Sequence, residues 1–246
     1  MSQYNKQKII IANWKMNPNS YTEAVRLLDS YIENINNNKI NLNNMDFIIA
    51  PPAIYLQAIS LKLQKFNIFL SAQNICWENQ GAFTGELSAS SFQSIGCSFT
   101  IVGHSERRTY NNETNDLIAK KCLVAINAGL TPIICVGETK VEFDNKKTWH
   151  VLSKQLEFLK QINNTFFIAY EPVWAIGTGV SADLAYIAKV SDYIREIFGS
   201  KKVKILYGGS VNMDNARAIF QLKNLDGALV GGGSLDVEQL VKICES

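Results

Sequence analysis

Eight short apolar runs recur along the 246-residue chain, and a segment with helical character follows each of them. The runs occupy residues 8–12, 47–50, 68–72, 99–102, 133–136, 166–170, 203–207 and 228–230. Each is short and rich in β-branched or aromatic residues, which suits a strand buried on both faces. The helical segments fall over residues 20–35, 54–63, 90–95, 115–128, 148–162, 181–198, 213–220 and 236–243. Ser20-x-x-Glu23 is a capping box that opens the first helix, and Gly129 and Gly199 stop two of the later ones. Strict alternation of strand and helix predicts parallel strands joined by helical crossovers. Eight such units at a length close to the roughly 250 residues of an α/β barrel predict a closed (β/α)8 barrel. The alternative is an open doubly wound sheet, but no Gly-x-Gly-x-x-Gly follows the first run. No break in composition divides the chain, so one barrel domain is expected over residues 1–246.

Composition narrows the function. Hydrophobic residues make up 47% of the chain, enough for a large core. The net charge is +2 with Lys and Arg scattered, so neither a nucleic-acid partner nor a membrane surface is expected. No apolar run approaches a membrane span, and the start of the chain is polar, without the apolar stretch of a secretion signal. The five cysteines, at positions 76, 97, 122, 135 and 244, form no Cys-x-x-Cys pair. Their odd number and wide spacing argue against a disulfide framework or a zinc site and for reduced thiols in the cytoplasm.

The polar residues of interest gather after the strands. Glu171 follows the sixth run and precedes Pro172, which cannot continue a ladder. After it come Val173, Trp174, Ala175 and Ile176, too apolar for a solvated turn, with Gly177 and Gly179 supplying backbone freedom. This reads as an apolar lid beside a general base, and the lid would exclude water from it. His104, one of two histidines, follows the fourth run at the expected start of a helix, where the N–H groups would disfavour imidazolium. Lys15, two residues beyond Asn13 at the first strand end, would neutralise an anion; taken alone, a solvated lysine is the preferred reading. Gly208-Gly209-Ser210 and Gly231-Gly232-Gly233 close the seventh and eighth runs, where these barrels usually bind phosphate. Cys135 and Glu138 read as a packed thiol and a structural carboxylate. A carboxylate, an imidazole, a lysine and a phosphate cradle on one rim suit proton abstraction beside a carbonyl. That chemistry calls for no cofactor and no metal.

Six segments in order carry a family resemblance. They are Asn-Trp-Lys-Met-Asn at 13–17, Gly-Ala-Phe-Thr-Gly-Glu at 81–86 and Gly-His-Ser-Glu-Arg-Arg at 103–108. The others are Ala-Tyr-Glu-Pro-Val-Trp-Ala-Ile-Gly-Thr-Gly at 169–179, Tyr-Gly-Gly-Ser-Val at 207–211 and Leu-Val-Gly-Gly at 229–232. Over nearly its whole length the chain resembles the triosephosphate isomerases. The resemblance implies interconversion of dihydroxyacetone phosphate and glyceraldehyde 3-phosphate. It makes Glu171 the base and His104 the electrophile, a family arrangement that is itself the standard example of this pairing. It makes Lys15 and Asn13 the substrate-binding pair, and assigns the phosphate to the backbone amides of Gly177, Ser210, Gly231 and Gly232. Glu106 becomes a supporting residue. A homodimer is implied, with Thr84 near the neighbour's Asn13 and Glu86 against the neighbour's Arg107. Val180-Ser181 departs from the Lys-Thr of many relatives, and Gly233 replaces a common Ala. Two other readings stand beside this one: a catalytically silent phosphate-binding barrel, and a different phosphosugar isomerase on the same fold.

Overall fold

The apolar runs are continuous because both faces of each strand are covered. The structure, a computed structural model, describes residues 8–176, 182–199 and 203–246. Its strands are β1 (Lys8–Asn13), β2 (Met45–Ala50), β3 (Phe69–Ala72), β4 (Cys97–Val102), β5 (Thr131–Val136), β6 (Phe166–Tyr170), β7 (Val203–Tyr207) and β8 (Gly227–Val230). They pair in parallel in sequence order and close, β8 against β1, into a barrel. The predicted (β/α)8 architecture is therefore present.

Side chains on successive residues of each strand point to opposite faces. In β1, Ile9 and Ile11 join a core drawn from strands alone, with Ile48, Ile101, Ile133, Phe167, Leu206 and Leu229; this fills the barrel. Ile10 and Ala12 face outward into a larger core shared with the helices, including Leu28, Leu56, Ile118, Leu152, Ile187 and Leu240.

The helices are α1 (Tyr21–Asn36), α2 (Ala53–Leu63), α3 (Ala89–Ser94), α4 (Ser105–Tyr110), α5 (Asn115–Asn127), α6 (Lys140–Asp144), α7 (Thr148–Leu156), α8 (Leu184–Phe198), α9 (Ala216–Phe220) and α10 (Val237–Glu245). Ser20 caps α1 by accepting from the Glu23 amide, as the capping box predicts. The short helix α4 begins at Ser105, where a helix start was expected, whereas α6 was not expected as an element; Thr139 and Glu142 form a reciprocal capping box on it. The helix expected over 148–162 is α only to Leu156 and continues as a 3-10 turn over Glu157–Gln161. There Glu157 and Lys160 pair at 2.6 Å, the three-residue spacing that a 3-10 turn eclipses. The helix expected from 181 starts at Leu184 behind an Asp183 cap, and Ser181 lies outside the described residues. The start expected at 213 moves to Ala216 because Asn212 and Asn215 hold a side-chain-stabilised turn first.

Closure rests on a close approach at the last seam. A Cβ built on Gly227 would lie 1.8 Å from the Ile9 carbonyl oxygen, so only glycine lets β8 meet β1 there. Gly232 is the internal control, since its Cβ would meet open space. Gly227→Ala is expected to destabilise the protein by about 3 kcal/mol, through backbone displacement in a filled core. Gly232→Ala is expected to cost under about 0.5 kcal/mol. Urea denaturation of both variants measures the difference, and equal midpoints would contradict the seam argument.

Candidate active site

The carboxyl ends of the strands share one rim, and the expected polar residues meet there. Glu171, immediately after β6, is 1% exposed. Its Oε2 accepts from the Ser105 amide at 2.8 Å, and its Oε1 lies 3.3 Å from His104 Nε2. That approach lacks the alignment of a hydrogen bond, and Oε1 is left buried without a hydrogen-bond partner. An unpaired buried carboxylate oxygen is costly and marks a place where something else is meant to bind or move. The slot is tight. A Cβ on Gly208 would come within 2.8 Å of Glu171 Cγ, and one on Gly137 within 1.8 Å of the Glu171 carbonyl oxygen.

His104 follows β4 and is the N-cap of α4. Its Nδ1 accepts from the Glu106 amide at 3.3 Å, so the ring hydrogen is carried on Nε2, the nitrogen that faces Glu171. The expectation of a helix start with its N–H groups at the ring is met.

Lys15 follows β1 in a left-handed conformation, φ 53°, which a non-glycine residue adopts at a cost. Asn13 Oδ1 accepts from the Lys15 amide at 3.0 Å, and Gln73 Nε2 donates to the Lys15 carbonyl at 2.8 Å. These bonds hold the strained residue. Its ammonium is not simply solvated: Nζ pairs with Glu106 Oε1. Lys15 Cε also lies against Gly231, 3.2 Å from where a Cβ would be.

A cavity of about 330 Å³ joins these parts. Asn13, Lys15 and His104 line one side, and Ser210, Gly231 and Gly232 the other, with Ile176 at its edge. Glu171 is beside the cavity but does not line it. Gly177, the remaining expected site residue, lies outside the described residues, as do Gly179 and Val180. Thr84 and Glu86 are elsewhere, on an exposed loop from 81 to 87. Glu86 lines a second cavity, about 550 Å³, that opens beside Lys15 and His104 and also includes Arg107.

This rim can be compared with known proteins. The family model for triosephosphate isomerase matches residues 8–246. The chain belongs to the triosephosphate isomerase family. It is similar to the triosephosphate isomerase of Endomicrobium trichonymphae, 40% identical over 97% of this chain and 98% of that protein. It is similar to that of Dehalococcoides mccartyi, 42% identical over 97% of this chain and 96% of the relative. The Thermodesulfovibrio yellowstonii protein is 41% identical over 96% of this chain and 98% of its own length. Membership of the triosephosphate isomerase family makes the chain an enzyme, an isomerase on a (β/α)8 barrel.

Several polar residues around this rim of the triosephosphate isomerase barrel were not singled out in the sequence. Gln155, buried on α7, grips the Gly137 backbone from both sides: Oε1 accepts from the amide at 2.8 Å and Nε2 donates to the carbonyl at 3.0 Å. Glu113 and Lys121 form a buried ion pair, with Glu113 Oε1 2.6 Å from Lys121 Nζ, and the half-buried Arg107, named in the sequence only as a partner for Glu86, joins it with Nε 2.5 Å from the same oxygen. A glutamine in a helix and charges on three different turns give no local signal; only the fold brings them together. Cys135 is fully buried, and burial, then the Glu171 charge beside it, holds its thiol well above the ordinary range. That suits a packed thiol and not a nucleophile.

Glu138 anchors the turn that follows β6, where the sequence predicts a lid. Its carboxylate accepts from Trp174 Nε1 at 2.9 Å, from Tyr170 Oη at 3.1 Å and from Tyr186 Oη at 3.2 Å. Val173–Ala175 forms a 3-10 turn, and the Trp174 ring stacks on Phe143 with centroids 4.5 Å apart. Burial raises the Glu138 carboxyl above its ordinary 4.5, against the lowering effect of the donors. Because the folded value is raised, ionisation costs stability. The contribution is present below the ordinary carboxylate range and is lost as pH rises through the raised value. Trp174 is therefore expected to report a titration with a midpoint above 4.5, seen as the fluorescence difference between the wild type and Glu138→Gln. A midpoint at or below 4.5 would mean that the donors outweigh burial.

Proposed function

We propose that the chain interconverts dihydroxyacetone phosphate and glyceraldehyde 3-phosphate by proton transfer through an enediolate. The observation that carries this reading is the Glu171 carboxylate, buried with one oxygen unpaired, 3.3 Å from His104 Nε2 and beside a cavity lined by Lys15 and paired glycines. Glu171 acts as the base. It leaves the Ser105 amide, takes a proton from the carbon next to the carbonyl, and returns it to the neighbouring carbon. His104, neutral, stabilises the enediolate as charge develops by giving its Nε2 proton to one substrate oxygen, and it recovers a proton from the hydroxyl of the other. Lys15 exchanges Glu106 for the anionic substrate and lowers the energy of the same charge. Asn13 holds Lys15 in place. Ser210, Gly231 and Gly232 present backbone to the phosphate, joined by the Gly177 amide when the lid, from Val173 on, closes. Every step uses the chain's own groups, so the reaction needs no cofactor and no metal.

The enzyme works in the cytoplasm on this reading. Its five cysteines are free and buried, which suits a reducing compartment. Among the described residues, no helix is long and apolar enough to cross a membrane.

A coupled assay with glyceraldehyde 3-phosphate tests the activity, and Glu171→Asp tests the base. Shortening the side chain by one methylene retracts the carboxylate by about 1 Å, which is expected to lower kcat by about 10²-fold with little change in KM. A wild-type kcat in this variant removes Glu171 from the role. An inactive wild type that still binds inorganic phosphate would favour the silent phosphate-binding barrel.

The active form is a homodimer on the same reading. Met16 is 87% exposed, Tyr110 79% and Leu87 47%, with Phe83 packed edge-on against Trp77 at the loop tip. Met16, Leu87 and Tyr110 line the Glu86–Arg107 cavity, and a second copy would cover them together with the loop tip at Phe83. Thr84 then reaches the partner's site, and Glu86 faces a partner arginine. Thr84→Arg combined with Glu86→Arg is expected to give monomers of low activity in parallel sedimentation and rate measurements. Fully active monomers would exclude the arrangement.

A further inference from the structure

The two walls of the anion cavity come from opposite ends of the chain, the turn after β1 and the turn after β8, and two buried hydroxyls join them: Ser234 Oγ, which reaches the Asn13 carbonyl at a long 3.4 Å, and the Tyr31 phenol, which links Trp14 to Ser234. Tyr31, on the inner face of α1, has no exposed surface. Its oxygen accepts from Trp14 Nε1 at 3.1 Å, and its hydrogen is donated to the Ser234 carbonyl. A phenol has one hydrogen to give and lone pairs to receive, so the relay from Trp14 through Tyr31 to Ser234 runs in a single direction with both ends satisfied. Trp14 lies between Asn13 and the strained Lys15. Ser234 ends the 3-10 turn that begins at Gly232, and its Oγ donates to the Gly231 carbonyl at 2.7 Å. We propose that Tyr31 is a positioning residue for phosphate binding: its hydroxyl sets the distance between Lys15 and the Gly231–Gly232 backbone.

This positioning role rests on the assignment of that cavity to the substrate's phosphate, and three features of the structure support it. First, the strand ladder does not reach the parts being positioned: β1 is paired to β8 only as far as Ala12 and Val230. Second, the contact between the walls is close, with Lys15 Cε lying against Gly231. A small separation of the two turns therefore changes the space that an anion fills. Third, the relay is wholly buried, so water cannot replace the hydroxyl without opening the core between α1 and the barrel. Tyr31 touches neither the cavity nor Glu171, and its effect is on binding, through Trp14 and Ser234.

Tyr31→Phe removes the hydroxyl and keeps the ring. Inorganic phosphate serves as the probe, as a competitive inhibitor of the isomerase. The expected result is a rise of about fivefold in both the phosphate inhibition constant and KM, with kcat per folded enzyme within about twofold, because one buried bond on the binding side is lost. A merely structural tyrosine would lower the folded fraction, which scales the rate but leaves the inhibition constant and KM untouched. Trp14→Phe, which keeps the bond from Tyr31 to Ser234, is expected to raise the inhibition constant about twofold over the wild type, and an unchanged constant would count against the relay. This second variant carries the test if the first does not fold. Lys15→Ala separates the two levels of the argument. If it weakens phosphate inhibition and Tyr31→Phe does not, the positioning role is overturned. If neither variant changes inhibition, the cavity is not the phosphate site and the assignment beneath the proposal fails with it.

Discussion

Two consecutive backbone N–H groups at the start of α4 hold both candidate catalytic side chains. The Ser105 amide binds the Glu171 carboxylate and the Glu106 amide binds the His104 ring. Such groups at a helix start have no partner within the helix, and they carry partial positive charge. They are used here to park an anion and to fix a tautomer at the same time. The helix is itself fixed by Arg108, whose guanidinium donates to the Gly103 carbonyl at 2.8 Å and to the Cys135 carbonyl at 2.9 Å. Arg108 thereby ties the end of β4 to the end of β5. Without that tie, six residues of helix would have little to orient them, and the imidazole and carboxylate would lose their common reference.

The parallel register explains why this small helix faces everything else. All the strands of the barrel run the same way, so every strand end lies on the same rim. Glu171 and His104 are 67 positions apart in the sequence and 3.3 Å apart in space. The rim also concentrates strain. Lys15 sits at φ 53°, and Glu171 keeps a buried oxygen without a hydrogen-bond partner. Both costs fall on residues assigned to binding and proton transfer, while the packed strands below them show continuous burial. The stable part of the molecule supports a rim that is not at its own energetic minimum.

The sequence made the strands legible because each is buried on two faces and bounded by glycine, proline or asparagine. It made Glu171, His104 and the glycine pairs legible because their places after strands are local facts. It could not display partners. Lys15 read alone as a solvated lysine, and its pairing with Glu106 appears only when the ends of β1 and β4 converge. Tyr31 was not distinguished from the rest of its helix, since a phenol's hydrogen bonds leave no trace in hydrophobic periodicity. Gln155 was hidden in the same way. The boundary errors have local causes as well: Asn212 and Asn215 hold a turn that delays α9, and α7 tightens where Glu157 and Lys160 pair.

Tyr31 and Gln155 together indicate how a barrel of this kind controls loops that its ladder does not reach. The β5 ladder ends at Val136, and the next peptide, Gly137, is held by the Gln155 amide from α7. The Glu171 amide donates to the Val136 carbonyl at 2.7 Å and the Val173 amide to the Glu138 carbonyl at 3.1 Å, so the Gly137 peptide lies between two anchors of Glu171 and the turn that follows it. On the other side of the rim, Tyr31 from α1 joins the turns after β1 and β8. In each case a helix sends one polar side chain through the apolar layer to a loop backbone. Each such bond contributes only about 1 kcal/mol to stability, so the fold does not require it. Its larger consequence is geometric, because the unpaired alternative leaves a buried amide or carbonyl and is strongly disfavoured. The apolar layer thus supplies most of the stability, and a few polar contacts crossing it set where the rim's reacting groups stand.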